Sequence, residues 1–208
     1  MKEIPIIFTP GNEPFLGRTL LKHFDDMLIV SMERYDELLK PIDINNLNKS
    51  ELATYQLVSQ TINLAFSIRE LIRQGYLFGA KTMFRSLLER STMLYYFYLE
   101  PSSVELWLDG WPYRKAPSLA KMLEVINEKG PKMKNFKGHE FLENHNNVVH
   151  GKLESLIYNM NGDKEKLDYV FTKDLSNTKL CDEICADCIP QMVIMLSMMI
   201  DKFHKKNT

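Results

Sequence analysis

Positions 76 to 99 read Tyr76-Leu77-Phe78-Gly79-Ala80-Lys81-Thr82-Met83-Phe84-Arg85-Ser86-Leu87-Leu88-Glu89-Arg90-Ser91-Thr92-Met93-Leu94-Tyr95-Tyr96-Phe97-Tyr98-Leu99. At about 100° per residue, Ala80, Met83, Phe84, Leu87, Leu88, Ser91, Leu94, Tyr95 and Tyr98 fall on one wide apolar face. Phe78, Arg85, Glu89, Thr92 and Tyr96 make a mixed stripe beside it. Little of the circumference is left for water, and a helix apolar nearly all round belongs at the centre of a bundle. Arg85 and Glu89, one helical turn apart, are then partly buried and can pair. Such a pair either fixes helix register or lines a site in which Glu89 holds the Arg85 guanidinium in place.

The helical period extends outward in both directions. Upstream, Asn48 and Glu51 resemble a capping box that opens a helix running to Gln74, and Gly75 is placed to close it in the left-handed conformation. Pro14 to Lys40 reads as an earlier helix, with Leu20, Phe24, Met27, Leu28, Ser31 and Tyr35 on one side. Downstream, Pro101 stops the central helix. A short helical piece around Val104 to Asp109 follows, then an aromatic loop from Gly110 to Pro117 and a Ser118-capped helix ending at Gly130-Pro131. A helix is predicted from Gly138 to Met160, followed by a turn at Asn161-Gly162-Asp163. Lys164 to Leu175 is ambiguous, a brief extended pair being one reading. Thr178 to Lys205 is a long Met-rich helix, with Pro190 expected to kink it. The expected fold is therefore all-α. A helical-bundle domain of about five to seven helices spans 14–208, behind an extended arm over 1–13.

Composition narrows the function classes. The 208 residues are 45% hydrophobic and 25% charged, with formal net charge −1, so no global field draws the chain to nucleic acid or anionic lipid. The apolar run Ile4-Pro5-Ile6-Ile7-Phe8 is too short for a signal peptide or membrane span. A cytoplasmic protein with reduced thiols and no membrane partner is expected. Cys181, Cys185 and Cys188 have a cluster-like spacing, but i, i+4, i+7 is also one helical stripe, continuous here with Leu180, Ile184, Met192 and Met195. The spacing of His139, His145 and His150 does not put three ligands on one helical face. Phosphate-loop, dinucleotide and metalloprotease patterns are missing as well, so no metal and no cofactor are expected.

The polar cluster Asn144-His145-Asn146-Asn147-Val148-Val149-His150-Gly151 stands out in this apolar pattern. His150 follows Asn146 by one turn, so the two share a face and can hydrogen-bond. His145 lies about 140° from His150 on an ideal helix. Imidazoles exchange protons near neutral pH, so the cluster is a candidate catalytic site as well as a set of side chains satisfying neighbouring carbonyls. Lys129, Lys132, Lys134 and Lys137 precede it and offer either an electrostatic approach for RNA or a solvated loop. Trp107, Trp111 and Tyr113, beside Arg114 and Lys115, either stack on a base or plug a bundle edge.

The central helix read as Gly79-Ala80-Lys81-Thr82-Met83-Phe84-Arg85-Ser86-Leu87-Leu88-Glu89, followed later by a helix carrying a histidine and a small residue, resembles the HEPN superfamily over about residues 50 to 205. HEPN ribonucleases carry an Arg, commonly a polar residue after it, three more residues, then His. The matching window here is His145-Asn146-Asn147-Val148-Val149-His150, with His145 at the Arg position. The resemblance implies a site made by two protomers of a homodimer that cleaves RNA without metal. His150 would move the proton, assisted by His145, Asn146 and Arg85, and Lys132, Lys134, Lys137 and Glu89 would serve substrate binding. A histidine at 145 replaces the Arg only when protonated.

Two function classes follow. One is a HEPN-like endoribonuclease of a toxin or anti-phage type. The other is a catalytically silent helical module for dimerisation or for binding a protein partner. Burial of His150 against Arg85 and Glu89 favours the second, and histidines facing a groove near Lys132 to Lys137 favour the first.

Overall fold

In a computed structural model, the described residues are 7–112, 116–130, 138–150, 152, 160–161, 168–169 and 173–204, and the side chains of 138–141, 144–145, 160–161 and 168–169 are not described. Among them are seven helices: α1 (Thr19–Leu38), α2 (Lys49–Arg73), α3 (Leu77–Leu99), α4 (Ser103–Leu108), α5 (Leu119–Lys129), α6 (Gly138–Val149) and α7 (Thr178–Phe203). An all-α bundle is what the apolar periodicity predicted.

The stop signals act as their chemistry requires. The Asn48 side chain accepts from Glu51 N at 3.0 Å, and Glu51 Oε2 accepts from Asn48 N at 2.9 Å, completing the capping box of α2. Gly75 closes α2 at φ 80°. Its N–H reaches Ile72 O at 2.9 Å and the Tyr76 N–H reaches Leu71 O at 2.8 Å, the paired bonds of a Schellman end. Ser118 Oγ caps α5 by accepting from Lys121 N at 3.2 Å.

α3 is central, packing on α2, α7, α5 and α6. Phe84 and Leu87 are fully buried there, against a core that includes Phe24, Leu57, Ile68, Ile184 and Met192. α7 runs through Pro190 without a break in the helix. It is long and apolar enough to cross a membrane by length and composition, yet Met192, Met195, Met199 and the three cysteines are buried in the bundle. The cysteine stripe is thus core. Burial pushes the Cys188 thiol well up, and the contact with Cys181 together with burial does the same to Cys185.

Two expectations change. α1 begins at Thr19, not Pro14, because residues 14–17 are turns and Gly17 takes φ 88°, outside the helical region. The helix expected over Gly138 to Met160 ends at Val149, since Met160 pairs with Tyr169, and Asn161 with Asp168, in a two-residue antiparallel ladder (β1, Met160–Asn161; β2, Asp168–Tyr169). Val148-Val149-His150-Gly151 is a run of weak helix formers at that boundary. The described part of the arm and the turn after it are tied to the bundle. Gln74 Oε1 accepts from Phe8 N at 3.1 Å and Gln74 Nε2 donates to Phe8 O at 2.7 Å, Glu13 is buried, and Phe15 joins the core.

Candidate functional site

The mixed stripe of α3 sits where its neighbours leave it partly covered. Arg85 Nη2 lies 3.4 Å from Glu89 Oε1, the pair expected from the spacing. Glu89 also meets Arg90 Nη1 at 3.3 Å, and Arg90 Nε donates to Gln60 Oε1 at 3.3 Å. One carboxylate therefore faces two guanidinium groups. The Arg85 side chain is only 19% exposed. Burial lowers its pKa, and Glu89 only partly opposes the effect.

Arg85, Glu89, Met93, Trp111, Pro117 and Ser118 line a cavity of about 380 Å³ that extends to the start of α5. Trp111 holds φ 48°, a costly conformation for a bulky side chain. It is imposed by the end of α4, where Trp111 N reaches Leu106 O at 2.8 Å. Trp107 and Trp111 both pack on Phe97, with ring centroids 5.7 and 6.4 Å away, so these two aromatics plug the bundle edge. Tyr113, Arg114 and Lys115 lie outside the described residues.

α6, which carries the polar cluster, packs on α3 and α5, the two helices that contribute to that cavity. His150 is the first residue past the helix and is exposed, its N–H donating to Asn146 O at 2.9 Å. Asn146 and Asn147 are half-buried. No hydrogen bond joins His150 to Arg85 or Glu89 among the described residues, so burial of His150 against that pair is not what the fold does. The His145 side chain, Gly151, Lys132, Lys134 and Lys137 lie outside the described residues.

Two buried side-chain polar atoms have no hydrogen-bond partner among the described residues: Arg85 Nη1 and Asn147 Oδ1. One donates and the other accepts, and they belong to two helices that pack together. Buried polar groups are nearly always satisfied, so each orphan calls for a reason. A guanidinium with an open N–H is an oxyanion binder, and an exposed imidazole can take or give a proton. The sequence pointed to Arg85 and Glu89 through their spacing. It gave no reason to choose Asn147 over Asn146, because neighbouring asparagines carry the same chemistry and only packing separates them. Comparison with protein-family models, curated proteins and solved structures returned no match.

Proposed function

We propose that this chain is a HEPN-like helical protein acting as a metal-independent endoribonuclease of a toxin or phage-defence type, working as a homodimer. The observation that carries the reading is Arg85: a largely buried guanidinium on the central helix with a donor left open. In this reading Arg85 receives a non-bridging phosphate oxygen, with Glu89 fixing its orientation. The ribose 2′-hydroxyl attacks the adjacent phosphorus. Its proton passes to a base, the 5′-oxygen leaves with a proton from an acid, and a cyclic phosphate remains. His150, exposed at the end of α6, is the group assigned to proton transfer. Asn146 and His145 assist, and Lys132, Lys134 and Lys137 supply the approach for the RNA backbone.

The test is cleavage of single-stranded RNA in the presence of EDTA by the wild type, His150→Ala and Arg85→Met. General acid–base catalysis contributes roughly a hundredfold or more, so each variant should lose at least that much while remaining folded. A folded wild type that leaves RNA intact, or a His150→Ala protein with full activity, would overturn the reading.

A second reading is supported by a different surface. Ile29, Met32 and Phe66 are 56%, 42% and 42% exposed and lie together between α1 and α2, a patch suited to an interaction module. Sedimentation of the wild type and of Ile29→Glu distinguishes the two. A dimer lost in the variant, with no RNA cleavage by the wild type, would favour association alone.

A further inference from the structure

α3, α5 and α7 leave an apolar groove of about 540 Å³ between them, within the size range of small-molecule sites. Leu88, Tyr95, Ile126, Pro190, Ile194 and Met198 are among the residues that line it. Pro190 has no N–H to give the Ala186 carbonyl, so α7 is one backbone bond short along this wall.

The polar side chains are Gln191, Asp187 and the hydroxyls of Thr92, Tyr95 and Ser197, of which Ser197 Oγ donates to Val193 O at 2.8 Å. Gln191 is 8% exposed and lines the groove. Ser91 Oγ lies 2.6 Å from Gln191 Oε1 and 3.0 Å from Leu88 O, and its one proton goes to the nearer acceptor. With its oxygen held toward α3, Gln191 keeps the Nε2 amide as the donor left for the groove. Asp187, the ion on this wall among the described residues, is matched by Lys81 Nζ at 2.7 Å. Among the described residues the groove therefore offers hydrogen-bond donors and no net charge.

We propose that this groove binds one neutral amphiphile. An aliphatic chain lies along the apolar walls, and an amide, ester or alcohol oxygen accepts from Gln191 Nε2. A carboxylate head is disfavoured, because it would lose water beside Asp187 with no unpaired cation among the described lining residues to meet it. This assignment is independent of RNA cleavage.

Calorimetric titration of the full chain with octanamide, octanol and sodium octanoate tests it. Octanamide and octanol should saturate at one per chain, and octanoate should bind at least about tenfold more weakly. Gln191→Leu should weaken octanamide about tenfold while keeping a folded protein, since Ser91 can turn its proton to Leu88 O. Ala186→Trp, on the exposed rim, should fill the groove and abolish binding without lowering the melting temperature. Octanamide that fails to saturate, octanoate that binds as tightly, or binding untouched by both variants would overturn the proposal.

Discussion

Lys81 Nζ lies 2.7 Å from Asp187 Oδ2, tying the central helix to the last one inside the same interface that holds Ser91 and Gln191. The lysine is 6% exposed and the aspartate 21%, so the partner left behind by a substitution differs in cost. Asp187→Asn removes the counter-charge nearest a buried ammonium and should destabilise by about 3 kcal/mol. Lys81→Met leaves a carboxylate that reaches water and should cost nearer ~1 kcal/mol. Urea unfolding midpoints of the two variants check the order. Equal losses would mean that the ion pair does not depend on the difference in burial.

Arg85 should behave in the opposite way. Arg85→Met removes a buried donor with no acceptor, and Glu89 keeps Arg90 as its partner. Stability should stay level or rise by up to about 1 kcal/mol, even as RNA cleavage is lost. A loss of several kcal/mol would make the Arg85–Glu89 pair a structural device.

Arg69 is the contrasting arginine. Its Nη2 meets Glu13 Oε1 at 2.6 Å and its Nε meets Asp25 Oδ1 at 2.5 Å, with 14% of its side chain exposed. Burial opposes its charge, but the bonds to Asp25 and Glu13 together outweigh that cost and raise its pKa. Arg69→Met leaves Glu13, whose side chain is 1% exposed, without its cation. A loss of about 3 to 5 kcal/mol is expected in chemical denaturation. Adding Glu13→Gln to that variant should recover part of it.

Asp182 makes the fold acid-sensitive. Arg18 binds its carboxylate through both oxygens and holds the pKa below the ordinary value near 3.8. As pH falls through that ordinary value, the unfolded chain takes up a proton before the folded one does. The contribution is thus fully present above it and lost as pH drops toward the folded value. Melting temperatures of wild type and Asp182→Asn should differ at neutral pH and converge in strong acid. A constant gap down to pH ~2 would count against the linkage.

How far the sequence reached depended on what each residue's neighbours were. α2 was legible to within a residue or two because Asn48, Glu51 and Gly75 act locally, each through bonds within one turn. α6 was over-extended because Leu153, Leu156, Ile157 and Met160 keep a helical period, while the pairing of Met160 with Tyr169 is set by a strand farther along the chain. The Arg85–Glu89 pair was legible from spacing. Lys81 was not singled out, although it lies at the edge of the apolar face of α3, because its counter-ion Asp187 is more than a hundred residues away. The unpartnered oxygen of Asn147 was invisible for a different reason: both asparagines are half-buried, and which side-chain oxygen is closed off follows from how α6 rests on α3 and α5.

α1 rests far more on α7 than on α2, and Arg18 joins Asp182 across a sequence separation of 164 residues. A ribosome makes α7 after every other helix. Until it emerges, the buried side of α1, with Leu21, Phe24 and Leu28, lacks the larger of its two native contact surfaces. Closing so long a loop is slow relative to local helix formation. The nascent chain therefore carries an incompletely covered first helix until the 26-residue α7 arrives as the keystone that closes over it.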